Sequence, residues 1–284
     1  YHHGEQSMNS TIIGLAQNFV GSNNINLLQP KGQFGTRLMG GKDAASPRYI
    51  FTMLSNNCSQ LIKTNDDSVL SYLNDDGMEI EPKYYVPTLP LVLINGADGI
   101  GTGYSSNIPC FNPDDIKTNI KLSLKNESLN EMIPWYNGFT GEIKAIPDFP
   151  GHYITTGKYS IVRDKLEITE LPIGKWIQDY KEFLDSLIDD KIISYRNHST
   201  EDKPHFVIKI DPKVISKCDV LKVFKLTSNL STKNMHLFDA NGKIKKYATP
   251  NDIIEEFVLV RMKYYQLRKN HIISQLTSTL DIIS

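Results

Sequence analysis

Apolar residues at three- and four-residue spacing open the chain. Met8, Ile12, Ile13, Leu15, Ala16, Phe19 and Val20 share one helical face, and Gly21 follows as a stop. The pattern predicts a helix that reaches Val20. The stretch from Gln29 to Tyr49 then carries Pro30, Gly32, Gly35, Gly40, Gly41 and Pro47. That density of glycine and proline excludes a long regular element and predicts backbone held close to something. Ile50 to Ile62 reads as a second helix, followed by a turn-rich segment around Asp75-Asp76-Gly77. The apolar run Leu89 to Ile94, bounded by Pro90 and Asn95-Gly96, predicts a buried strand leading into a second glycine loop, Gly96 to Gly103.

From Ile116 to Tyr247 the pattern is mixed. Helices are predicted near 115–124 and 175–188, and strands at 159–162, 166–168, 205–210 and 235–238. Strands and helices mix without a strand-helix-strand rhythm, which predicts an α+β fold. Thr249-Pro250-Asn251-Asp252 then reads as an N-cap, a first-turn proline and an acidic third position. Apolar spacing runs on from Ile253 to Ile283. A helix of that length, still amphipathic where the sequence stops, either packs on its own domain or forms one arm of an antiparallel coiled coil. The second is preferred because globular helices seldom exceed ~20 residues.

Composition adds bounds. The 284 residues suffice for two domains, or for one plus an extension, and 40% hydrophobic with 22% charged residues is ordinary globular material. No apolar run reaches the ~20 residues that span a bilayer. The chain opens on Tyr1 with neither an initiator Met nor a signal-peptide pattern, so it is expected to start inside a larger protein. Cys58, Cys110 and Cys218 are too few and too dispersed for a disulfide framework, which fits a reducing intracellular compartment.

The net charge of −1 argues against nucleic acid, but its distribution changes that picture. Lys31, Arg37, Lys42 and Arg48 between Gln29 and Tyr49 face only Asp43. Lys222, Lys225, Lys233, Lys243, Lys245 and Lys246 between Leu221 and Tyr247 face only Asp239. Asp66, Asp67, Asp75, Asp76, Glu79 and Glu81 cluster without a base. One basic face with an acidic back reads this way, and so does a solvated surface.

Two glycine loops invite nucleotide readings, and both fail on spacing. In Gly35 to Asp43 the lysine sits one place late for a phosphate-binding loop, and Asp43 stands where Ser or Thr would hold Mg²⁺. In Gly99-Ile100-Gly101-Thr102-Gly103 the third glycine arrives one residue early for a dinucleotide fingerprint. Either loop can still cradle a polymer phosphate with backbone N–H groups. His2 and His3 are adjacent, so they cannot share a helical face as a metal pair.

Arg48-Tyr49 carries more chemistry. Breaking a phosphodiester through a covalent intermediate needs an oxygen nucleophile, and a tyrosine suits a link that must be reversed. A phenol ionises only near pH ~10, so a neighbouring cation assists it, and a guanidinium also neutralises charge growing on the phosphate. On physical grounds alone Tyr49 is one of 14 tyrosines, and a half-buried residue with its hydroxyl in water is the ordinary alternative.

A resemblance separates the two. Gln33-Phe34-Gly35-Thr36-Arg37 followed by Gly40-Gly41-Lys42-Asp43-Ala44-Ala45-Ser46-Pro47-Arg48-Tyr49-Ile50-Phe51-Thr52 resembles the active-site signature of eukaryotic-type DNA topoisomerase II, a type IIA topoisomerase. Tyr1 to Glu5, Ala16 to Asn24 and Leu93 to Gly103 resemble the same family in the same order, and Val223 to Thr227 and Arg261 to Tyr265 match more loosely. Met39 is a modest departure.

The resemblance implies a winged-helix (CAP-like) domain over 1–86, lacking its N-terminal part, a mixed α/β tower or shoulder domain over 87–248, and the start of a coiled-coil arm over 249–284. It implies that Tyr49 takes a DNA 5′-phosphate, with Arg48 stabilising the transition state. Ile100 falls where the family wedges an isoleucine between base pairs. Tyr1, His2, His3, Lys42, Lys222, Lys225 and Ser228 fall where it meets the DNA backbone. The implied partners are duplex DNA and a second copy of the parent, without a membrane. The implied cofactors, Mg²⁺ and ATP, belong to a TOPRIM domain and an ATPase domain outside this sequence. The implied location is the nucleus for a cellular parent, or host cytoplasm or virion for a viral one. The competing reading is a DNA-binding and DNA-bending module without cleavage.

Overall fold

The computed structural model describes residues 3–188, 190–211, 213 and 218–283. Helix α1 (Glu5–Ala16) stops short of the predicted Val20. The cause is Asn23, whose amide donates to the carbonyls of Gly14 at 2.7 Å and Gln17 at 2.8 Å. These bonds supply partners that a further helical turn would have supplied. Phe19 leaves the helix face and meets the edge of Trp176, ring centroids 5.8 Å apart.

The predicted helix from Ile50 is also shorter. Phe51 bridges to Lys31 and Leu54 to Leu28 in extended conformation. Helix α2 (Asn56–Leu61) begins only after Ser55, whose hydroxyl accepts the Cys58 N–H. Ser55 is the N-cap signal that the apolar periodicity hid. A 3-10 stretch, Thr64–Val69, and the hairpin β1 (Tyr72–Asp75) and β2 (Met78–Pro82) follow, the latter turning at the expected Asp75-Asp76-Gly77.

Leu89 to Ile94 is no strand. Helix α3 (Leu91–Asn95) starts directly after Pro90 and buries Leu93 and Ile94 completely. Short apolar runs do not distinguish a buried strand from a buried helix, and the proline at the helix start tips the balance. The glycine segment behind it is a hairpin, not a loop: β3 (Ala97–Gly101) pairs with β4 (Tyr104–Ile108).

The rest comprises α4 (Pro113–Leu124), β5 (Glu142–Ala145), β6 (His152–Thr156), β7 (Lys158–Val162), β8 (Lys165–Glu170), α5 (Ile177–Asp185), β9 (Ser194–Asn197), β10 (Phe206–Lys209), α6 (Val220–Val223), β11 (Thr227–Ser231), β12 (Met235–Phe238), β13 (Ile244–Tyr247) and α7 (Pro250–Ile283). Every pairing between these strands is antiparallel, in sheets ordered β7-β8-β10-β9, β11-β6-β5 and β12-β13. Antiparallel sheets with helices outside a strand-helix-strand unit are α+β architecture.

One core joins the four-stranded sheet to α5 through Leu166, Ile168, Phe206, Ile208, Tyr180 and Leu184. A second gathers Leu93, Ile94, Phe111, Ile116 and Met235 around Ile253, Ile254 and Val258. Helix α7 therefore starts inside a core. Its N-terminus is the expected reciprocal cap: the Thr249 hydroxyl accepts the Asp252 N–H at 3.3 Å, and the Asp252 carboxylate accepts the Thr249 N–H at 2.9 Å. Burial continues to Tyr264, after which apolar residues such as Leu276 and Leu280 face solvent.

Candidate nucleic-acid interface

The glycine-rich loop before Tyr49 is clamped from two sides. From the C-cap of α1, the Gln17 amide donates to the carbonyls of Phe34 at 2.9 Å and Gly41 at 3.2 Å. From the first turn of α5, the N–H groups of Ile177 and Gln178 donate to the carbonyls of Arg37 and Leu38. The Trp176 ring covers Gly40 so closely that a Cβ there would lie 2.4 Å from a ring carbon. Asp43 closes the loop on itself by accepting from the Thr36 N–H at 2.8 Å and the Thr36 hydroxyl at 2.5 Å. That is why an aspartate occupies the place where a nucleotide loop has Ser or Thr.

Arg37 corrects the charge reading. It is 3% exposed and donates to Glu170 at 2.5 Å and to the Leu171 carbonyl at 3.2 Å. Glu170 also accepts the Thr140 N–H and hydroxyl and its neighbour's N–H. Arg37 is thus engaged inside the protein rather than offered to a phosphate.

The clamp delivers its two candidates to the surface. Pro47–Tyr49 form one 3-10 turn, closed by the Tyr49 N–H donating to the Ser46 carbonyl at 3.0 Å. Behind it the Lys31–Phe51 bridge fixes the chain direction, with both N–H groups engaged across it. Tyr49 is 69% exposed, and the Arg48 guanidinium stands 5.5 Å from its ring centroid. The Arg48 Nε reaches the Ser46 hydroxyl at 3.4 Å. A phenol hydroxyl and a cation side by side on a braced, open turn can meet a phosphate together.

Ile100 is 93% exposed, near the tip of the β3–β4 hairpin. Its hairpin is held by contacts to β12 and the residues before it. Asn107 bridges to Asn234, the Asn234 amide donates to the Ser105 hydroxyl at 2.9 Å, and the Ser106 hydroxyl accepts the His236 N–H at 3.3 Å. Tyr104 packs beside His236 and Phe238, each 6.4 Å between centroids. An isoleucine held this far into water has no packing role in the chain itself.

The remaining candidates divide. Tyr1 and His2 lie outside the described residues. His3, Lys42, Lys222 and Lys225 are exposed. Lys225 adopts a positive φ of 48° and lays its ammonium 4.4 Å from the Phe183 ring centroid. Ser228 is turned inward: its hydroxyl donates to the Ile173 carbonyl at 2.8 Å and therefore accepts from Thr155 at 2.9 Å. With its proton committed, only its oxygen lone pair remains for an external donor, and a phosphate is not one.

Sequence reasoning missed Gln17 and Trp176, which brace the loop before Tyr49, Asn234, which braces the Ile100 hairpin, and Thr140 and Glu170, which hold the buried Arg37. Beneath the hairpin, burial pushes the Cys110 thiol up to about 12 and raises the Tyr136 phenol as well, so both stay neutral where they pack together.

Comparison with known proteins converges on one family. The family model for the A-type subunits of DNA gyrase/topoisomerase IV matches residues 1–284. DNA topoisomerase 2 of Plasmodium falciparum is 49% identical over 292 residues, which cover 100% of this chain and 21% of that protein. The Pisum sativum DNA topoisomerase 2 is 49% identical over 293 residues, 100% of this chain and 20% of that protein. The mitochondrial DNA topoisomerase 2 of Dictyostelium discoideum is 46% identical, over 99% of this chain and 22% of that protein. The crystal structure of the Plasmodium falciparum topoisomerase II DNA-binding, cleavage and re-ligation domain superposes with a TM-score of 0.95 at 49% identity, covering 98% of this chain and 39% of that one. The chain spans about a fifth of the length of these curated relatives.

Proposed function

Because this chain belongs to the DNA gyrase/topoisomerase IV family of A-type subunits, we propose that it is the part of a type IIA topoisomerase that grips, bends and cuts DNA. The observation that carries this reading is the braced, exposed Arg48-Tyr49 turn. Tyr49 Oη attacks a backbone phosphorus, the bond to the 3′ oxygen breaks, and the 5′-phosphate stays on the tyrosine. The phenol proton leaves to a base, and the departing 3′ oxygen takes up a proton. Reversal reseals the strand. Arg48 neutralises the charge that grows on the phosphate oxygens. Two such chains, one in each half of a dimer, open both strands for passage of a second duplex.

Ile100 inserts between base pairs. Unstacking a step costs on the order of a few kcal/mol, which contacts along the bent duplex offset. Lys42, Lys222 and Lys225 meet the DNA backbone, and His3, with Tyr1 and His2, extends that contact. Residues 1–86 act as the winged-helix domain, 87–248 as the tower, and 249–284 as the start of the coiled-coil arm. Among the described residues no three His, Cys, Asp or Glu side chains form a group able to hold a metal ion, and no helix is long and apolar enough to cross a membrane. The reading assigns Mg²⁺ and ATP to other parts of the parent.

The test is covalent trapping. The full-length parent with Mg²⁺ and labelled duplex, stopped with denaturant, gives protein–DNA adducts, and Tyr49→Phe abolishes them while DNA binding persists. Adducts in the mutant refute Tyr49 as nucleophile. Binding and bending without adducts in the wild-type parent leave only a bending module.

A further inference from the structure

A series of contacts, part-buried at Trp135 and in the Thr140 bonds and buried at Glu170 and Arg37, connects the Ile100 hairpin to the loop that carries Tyr49. Strand β4 runs into Cys110, whose carbonyl accepts the Trp135 N–H at 2.8 Å. Tyr136 is buried beside Cys110, and the Tyr136 carbonyl accepts the Phe139 N–H at 3.1 Å. The next residue, Thr140, holds one Glu170 oxygen with its N–H at 3.0 Å and its hydroxyl at 2.9 Å. The other Glu170 oxygen takes the Arg37 guanidinium. The path is continuous, its polar groups are hydrogen-bonded, and it ends inside the clamped loop.

A core that only needed to fill space would not place an ion pair here. Both side chains are 3% exposed, and apolar residues of similar volume commonly replace such a pair without loss of stability. What the pair adds is geometry, because one guanidinium nitrogen is held between the Glu170 carboxylate and the Leu171 carbonyl. We infer that Arg37 is a positioning residue for phosphoryl transfer: its pairing with Glu170 passes the strain of bent DNA at the Ile100 hairpin into the loop that presents Arg48 and Tyr49. This rests on the cleavage role proposed for Tyr49. It makes bending a condition of cutting, so that DNA merely bound along the basic face is left intact.

The experiment measures adduct yield and bend angle, the latter by energy transfer, in the full-length parent. The double variant Arg37→Met with Glu170→Met exchanges the pair for apolar side chains. It still folds, with a lowered melting temperature because the Thr140 N–H and hydroxyl and the Leu171 N–H lose their acceptor. It keeps the bend angle but loses adducts on the order of 10²-fold, the loss expected when a reacting group moves by ~1 Å. Arg37→Lys, which retains a cation for Glu170, recovers part of the yield. Ile100→Ala also lowers adduct yield, and combining it with the double variant costs little more than either alone, as for two parts of one route. Independent losses that multiply overturn the inference, because a merely structural Arg37 behaves that way. Wild-type adduct yield in the folded double variant, or in Ile100→Ala, overturns it too. Should the double variant not fold, Thr140→Val removes one hydroxyl hydrogen bond to Glu170 at constant shape and is read by the same criteria. Adducts that survive Tyr49→Phe sink the nucleophile assignment instead, so the two failures look different.

Discussion

Tyr49 and Ile100 are large side chains left in water, and each stands on backbone that is unusually well held. Exposure alone is common for single apolar residues and means little. It becomes informative where buried groups are committed to supporting it, as Gln17 and Trp176 support the Tyr49 loop. Such support is invisible in a local reading of sequence. Arg37 counts with the basic stretch in the sequence because its partner lies 133 residues away. Arg48, Tyr49 and Ile100 are legible as candidates through the family's motifs, whereas residue chemistry alone leaves Tyr49 among ordinary tyrosines. Gly40 shows the same logic from the backbone. With φ at +62° and the Trp176 ring where a Cβ would go, Gly40→Ala must strain the backbone and displace the ring. A loss of about 1–3 kcal/mol in urea unfolding is expected. An unchanged midpoint would show that the Trp176 clamp yields freely.

At the scale of elements, the long helix is plain in the sequence because its cap and its spacing agree, while short elements mislead wherever one signal stands alone. Strands β6 and β11 escape prediction since Thr155, Thr156 and Ser228 break the apolar alternation, the Thr155 and Ser228 hydroxyls bonding to each other inside the sheet. Helix α7 also does more than extend. Its Glu256 carboxylate accepts from Lys245 at 2.7 Å, Tyr247 at 2.8 Å and the Ala240 N–H at 3.4 Å, which ties the β12–β13 hairpin to the helix. Since β12 braces the Ile100 hairpin, the helix base underlies Ile100. Burial pushes the Glu256 carboxyl up, but the hydrogen bonds from Lys245, Tyr247 and Ala240 outweigh it and hold it below the usual value. A depressed folded value means the stabilisation is present above the ordinary carboxylate range and is lost as pH falls through the folded value. Glu256→Gln should therefore lower the melting temperature at neutral pH, and the gap to wild type should close as the solution is acidified through about pH 4. A gap that is constant with pH would remove the ionised carboxylate from the account.

The whole molecule is joined by charges that a linear count places on its surface. Asp66, which the sequence leaves to an acidic back or a solvated surface, is 3% exposed and sits between Arg261 at 2.7 Å and Arg268 at 3.1 Å, both on α7. Arg261 also donates to the Val86 carbonyl and stacks on Tyr265 at 4.0 Å. Helix α7 is thereby fixed to the segment that follows the Tyr49 turn. Asp66→Asn leaves Arg261 buried without its counter-charge and should cost about 3–5 kcal/mol in chemical unfolding, far beyond what an exposed pair contributes. The same accounting reshapes the expected DNA contact. Arg37 pairs with Glu170 and Lys245 with Glu256, so the net charge of −1 coexists with a basic face smaller than the sequence suggests. Binding that neutralises phosphates weakens with salt, by about 0.9 in the logarithmic slope for each contact. Lys222→Ala should reduce that slope by about one contact, as measured by titration at several salt concentrations. Lys245→Ala, whose ammonium already serves Glu256, should leave the slope unchanged. If both variants lowered it equally, internal pairing would not select the contacts, and the surface would have to be read from charge density alone.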